Sequence, residues 1–192
     1  KSTFLISQAD FVACHNPAYV RKYNMVQDLV DGGTFLMNCG WSDEELDKHL
    51  PGQAKKYIAD HNIKLYTIDG ITIGKEIGLG NRINTVLQAA FFKLSGIIPV
   101  DDAVKYMKDA ATATYGRKGE AVVKMNHDAI DRGIDGAIER KIPESWKDAE
   151  FEDLNVTVTG DRQDVVDFVN NIQSAINHQE GNNLPVSAFE EY

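Results

Sequence analysis

The sequence predicts an α/β fold of three layers, α/β/α, around a mostly parallel sheet. A helical second half and a C-terminal linker with one helix follow it. Three observations predict this. Short β-rich runs alternate with helical spacings as far as Gly70, the pattern of strands joined by helical crossovers. The runs are continuously apolar, as in parallel strands covered on both faces. From Asn84 onward, apolar residues recur at helical spacing.

Each element has its own warrant. Ser2–Ser7 (STFLIS) reads as a strand, and Ala9–His15 (ADFVACH) as a second one bounded by Asn16-Pro17. Asn16 suits a helix cap and Pro17 a first turn. Tyr19, Val20, Tyr23, Val26, Leu29 and Val30 then repeat at helical spacing until Asp31-Gly32-Gly33, where a helix is expected to stop. Thr34–Asn38 is a third strand. Ser42 followed by Glu45 matches a capping box and opens a short helix through His49. Pro51 starts another, with Ala54, Tyr57 and Ile58 facing inward, to about Asn62. Ile63–Ile68 is the next strand and ends at the Asp69-Gly70 turn. Ligands on such sheets sit beyond the carboxyl ends of the strands. Cys14-His15, Asn38-Cys39 and Asp69-Gly70 all fall on that edge.

The chain is organised around Ile63–Gly96. After the strand comes a glycine-punctuated crossing, Gly78-Leu79-Gly80-Asn81-Arg82-Ile83-Asn84-Thr85, and then a helix that is apolar almost all round, which marks it as central. Glycines permit close approach of backbone. The helix start offers unpaired N–H groups and a positive dipole end. Arg82 adds a fork of donors for phosphate or carboxylate. The third glycine of a dinucleotide fingerprint is missing. Two readings stand: a helix–helix corner, or an anion site. Helices follow over Asp101–Tyr115 and Glu120–Ile134. From Arg140 the composition shifts to a linker with Pro143, Trp146 and the acidic run Asp148–Asp153. Asp161–Asn177 reads as an isolated amphipathic helix, and Glu180–Tyr192 as polar and turn-like. The division expected is an α/β domain over 1–140, truncated at its N-terminus, and a linker with a partly ordered tail over 141–192.

Composition narrows the function. The chain has 192 residues, 43% hydrophobic and 26% charged, with a formal net charge of −9. That balance argues against nucleic acid, which needs a basic face, and against a polybasic membrane contact. No apolar run has the length of a membrane span. Two cysteines, Cys14 and Cys39, read as free thiols in a reducing, cytoplasmic setting. They are too few for a four-cysteine iron–sulfur or zinc site. Cys14-His15 as nucleophile and base is disfavoured, because neighbours on a strand point to opposite faces. His49, His61, His127 and His178 lie on different elements with no metal-ligand spacing. The basic loop Tyr115–Gly119 reads as a solvated turn, with contact to a phosphate or an acidic domain as the alternative.

Five blocks together carry a resemblance: QADFVACHNPAYVRKYNMV (8–26), GGTFLMNCGWSDEELDKHLP (32–51), GLGNRINTVLQAAFFKLSGIIP (78–99), YGRKGEAVVKMNHDAID (115–131) and GNNLPVSAF (181–189). In this order they resemble the γ-type segment of pyruvate:ferredoxin (flavodoxin) oxidoreductases and the start of the linker after it. The resemblance implies an excised piece of a large thiamine-dependent enzyme, inactive alone. The whole would oxidatively decarboxylate pyruvate with coenzyme A and pass electrons through [4Fe-4S] clusters to ferredoxin or flavodoxin. Thiamine diphosphate with magnesium, and the clusters, would lie on other domains, so no cofactor is expected on this fragment alone and no catalytic or metal-binding residue is assigned. The implied partners are the enzyme's other domains and a second copy of the full enzyme. Gly80, Asn81, Arg82, Asn84 and Thr85 are the residues expected to help hold coenzyme A. The alternatives are a docking domain and a stand-alone small-molecule binding module.

Overall fold

The computed structural model describes residues 6–154 and 156–190. Its sheet has four strands in the order β1 (Ala9–Cys14), β2 (Leu29–Asn38), β3 (Lys64–Ile68), β4 (Ile138–Glu139). The first three run parallel, and β4 is antiparallel to β3. Each parallel strand lies beside its predecessor. Right-handed crossovers that step in one direction put their connections on one face. The Pro17–Arg21 3-10 turn, α1 (Asp43–His49) and α2 (Gly52–Asp60) pack on that face. The opposite face receives α3 (Gly70–Glu76), α4 (Asn84–Ser95) and α6 (Glu120–Asp135), with α5 (Val100–Tyr115) outside α4 and α6. This is the three-layer α/β/α arrangement expected.

Alternation along β2 feeds both cores. Phe35 and Met37 enter the α1–α2 layer, and Leu36 enters the α3–α4–α6 layer. All three are buried, so the strand reads as one apolar run in sequence. α4 is central: Val86, Ala89 and Ala90 are fully buried. Small residues let α6 come close, since a side chain at Gly133 would meet the Val86 carbonyl and lie 2.8 Å from Ala89 Cβ.

Two expectations are corrected. Tyr19–Val30 does not form a helix. The Asn16 side chain accepts from Ala18 N and caps the single 3-10 turn Pro17–Arg21, and Leu29–Val30 already belong to β2. Only Val20, Val26 and Leu29 of the six apolar residues are buried, and they reach the core from a turn, a loop and a strand. Asp31-Gly32-Gly33 is an irregularity inside β2: the pairing jumps from Ala9–Leu29 to Phe11–Thr34, and Gly32 has φ +73°. The glycine supplies a left-handed bulge conformation. The strand expected over Ser2–Ser7 lies mostly outside the described residues, and Ile6 and Ser7 are not in a strand.

The segment after β4 returns across the α1–α2 face. Trp146, in the 3-10 turn Glu144–Asp148, is buried in that core and donates from Nε1 to Asp47 Oδ1 at 2.7 Å. The Glu152 carboxylate accepts from Gly52 N at 3.0 Å and pairs with Arg21 at 2.9 Å, while Gln53 exchanges two bonds with the Glu152 backbone. Farther on, helix continues through α7 (Gln163–Phe168), a π turn (Val169–Gln173) and α8 (Ser174–Asn177). Ile172 is fully buried; Val165, Phe168 and Ile176 are exposed. Two 3-10 turns, Gly181–Asn183 and Val186–Phe189, complete the described chain.

Candidate functional site

The segment Gly78–Thr85 is both a packed corner and a polar rim. Asp69 caps α3, accepting from Thr72 N at 2.9 Å. At its far end Gly78 (φ +83°) and Gly80 (φ +60°) adopt left-handed conformations. Leu79 N and Gly80 N both donate to Gly74 O, at 2.8 and 3.1 Å, and Leu79 is buried. A side chain at Gly74 would come 2.5 Å from Gly80 O. The glycines therefore make a tight α3–α4 turn, which accounts for them without a ligand. The outside of the turn is different. Gly80, Asn81, Arg82 and Asn84 are exposed and Thr85 is half-buried. No side chain caps α4, so its first-turn amides keep the positive end of the helix dipole open.

Arg82, Asn84 and Thr85 line a cleft of about 240 Å³ whose far wall holds Tyr115, Lys118 and Asn126. Lys118 arrives on the 3-10 turn Gly116–Lys118, between α5 and α6. Arg82 and Lys118 have no acidic partner among the described residues. The Lys118 ammonium sits 5.4 Å from the Tyr115 ring centre. Two unpaired cations and an uncapped helix start around one concavity suit an anion such as a phosphate. Gly80 and Asn81 lie next to this cleft on the exposed turn. Lys118 had a signal in the sequence, the basic loop. Asn126 had none, because it sits on the apolar side of an amphipathic helix.

The carboxyl edge of the sheet is closed by hydrogen bonds. Asn38, 5% exposed, donates from Nδ2 to His15 O at 3.0 Å and accepts at Oδ1 from Gly70 N at 2.9 Å. One carboxamide thus ties together the ends of β1, β2 and β3. The monotonic strand order also leaves no reversal point among these strands, where a doubly wound sheet opens a crevice. Cys14 is fully buried, and its thiol donates to Asn16 O at 3.0 Å. Burial pushes that thiol up to about 11; the backbone hydrogen bond opposes the shift and the charge of Cys39 adds to it. Burial likewise raises Cys39. Neither is poised as a nucleophile, since reactive cysteines have lowered values and solvent access. Among the described residues no group of three or more His, Cys, Asp or Glu is placed to hold a metal ion. No helix among them is long and apolar enough to cross a membrane.

Comparison with known proteins follows the same lines. The family model "Pyruvate ferredoxin/flavodoxin oxidoreductase" matches residues 1–136. A pyruvate:ferredoxin oxidoreductase of Moorella thermoacetica is 46% identical over 98% of this chain and 16% of its own length. A pyruvate-flavodoxin oxidoreductase of Enterobacter agglomerans is 41% identical over 99% of this chain, again 16% of its own length. A pyruvate dehydrogenase [NADP(+)] of Cryptosporidium parvum is 38% identical over 99% of this chain and 11% of its own. The chain therefore spans about a sixth of the length of the two bacterial relatives. The solved structure of the pyruvate oxidoreductase subunit PORC of Thermotoga maritima superposes with a TM-score of 0.56 over 71% of this chain and 67% of its own, at 18% identity. That last likeness speaks for the fold. The extent of the family match and the identity to full-length relatives settle the ancestry: this chain belongs to the pyruvate ferredoxin/flavodoxin oxidoreductase family.

Proposed function

We propose that the chain is the γ-type part of an enzyme that oxidatively decarboxylates pyruvate with coenzyme A, and that its α3–α4 turn helps hold coenzyme A. The enzyme delivers electrons through iron–sulfur clusters to ferredoxin or flavodoxin, works as a dimer in the cytoplasm, and carries thiamine diphosphate with magnesium on other domains. Thiamine diphosphate supplies carbanion stabilisation there. Two thiols are too few for a four-cysteine cluster, and the clusters are assigned to other domains of the enzyme. One observation carries the binding role: Arg82 and Lys118, both without acidic partners, face one cleft at the uncapped start of α4. Gly80 and Asn81 extend that surface along the exposed turn, and Asn84 and Thr85 present the first-turn amides. In this reading the γ-type domain spans 1–140 and the linker with its tail 141–192.

Isothermal titration of the chain with coenzyme A tests it. Salt-sensitive binding is expected, weakened by about tenfold or more in Arg82→Ala, the loss of one charge-assisted phosphate contact. Binding that is absent, or unchanged in that variant, refutes the role. The isolated chain is expected to turn over no pyruvate even when supplied with thiamine diphosphate and magnesium. A docking role is the second reading. β1 pairs on one side only among the described strands, and a groove of about 860 Å³ lined by Val12, Ala13 and Tyr23 runs beside it. An edge of that kind suits contact with neighbouring domains.

A further inference from the structure

We draw no further inference here: the strongest candidate, the groove beside the outer edge of β1 lined by Val12, Ala13, Tyr19 and Tyr23, belongs to the docking reading given above, and nothing in the structure shows what covers it.

Discussion

Cys14 shows how one side chain reports its surroundings. Its thiol is sealed in the core and donates to a carbonyl, so the folded state holds the proton more tightly than the unfolded chain does. A group whose value is raised on folding stabilises the fold fully below its unfolded value, about 8.5 for cysteine. That contribution is lost as pH rises toward about 11. Urea melts are expected to hold steady up to pH 8 and to weaken progressively above 9. A thiol reagent at pH 8 should label the native protein at least about a hundredfold more slowly than the unfolded chain. Rapid labelling without unfolding would contradict the assignment. The same scale explains what could be read of the site beforehand. Arg82 stands beside glycines and a helix start, a local pattern visible in a line of text. Asn126 becomes a candidate only when α6 folds against α4, which no local spacing encodes.

At the level of elements, the strap after β4 depends on a missing side chain in α2. A Cβ at Gly52 would collide with Glu150 O. Gly52→Ala is therefore expected to lift the strap, expose Trp146 and cost about 1–3 kcal/mol. A red shift in tryptophan emission and faster proteolysis after residue 140 would report it. Acid should act on the same contact. The Arg21 hydrogen bond holds the Glu152 carboxyl below the usual range, helped by the Gly52 amide and opposed by modest burial. Its contribution is complete above the unfolded value, about 4.3, and disappears as pH falls through the lower folded value. Strap release should thus begin below about pH 4. Elements with a local cause were legible: the Ser42–Glu45 capping box forms as the spacing predicts, with Ser42 N donating to Glu45 and Glu45 N to Ser42. The false helix at Tyr19–Val30 had the right period without the right burial. Tyr19 stays exposed, and the glycines taken for a helix stop instead bend a strand. A composition shift at Arg140 signalled an irregular segment but not that it docks, because Trp146 finds its partners on α1 and α2, about a hundred residues earlier.

Across the whole molecule, the alternation of strands and helices was enough to predict the layers. It did not fix neighbour order, since several orders satisfy the same right-handed crossovers. The structure uses the simplest, each parallel strand beside the last, and closes the far side with a two-residue strand from beyond the helical half. Arg140 secures that closure. Its backbone N–H donates to Leu65 O, and its guanidinium donates to Thr67 Oγ1, Trp41 O and Asp43. Three parts of the chain meet at one side chain, 18% exposed. Arg140→Met should lower stability by about 2–4 kcal/mol.

The order of assembly follows from that clasp. β1, β2 and β3 follow one another in sequence, joined by the Pro17–Arg21 turn and by α1 and α2, but Arg140 reaches β3 only after α3 to α6 have brought the chain back. Contacts between residues so far apart in sequence form late on a folding route. Removing a late contact leaves the uphill climb nearly untouched and shortens the lifetime of the finished state. Stopped-flow traces of Arg140→Met should therefore show refolding close to the parent rate and a steep gain in unfolding rate. A variant slowed chiefly in refolding would place the clasp among the first contacts made.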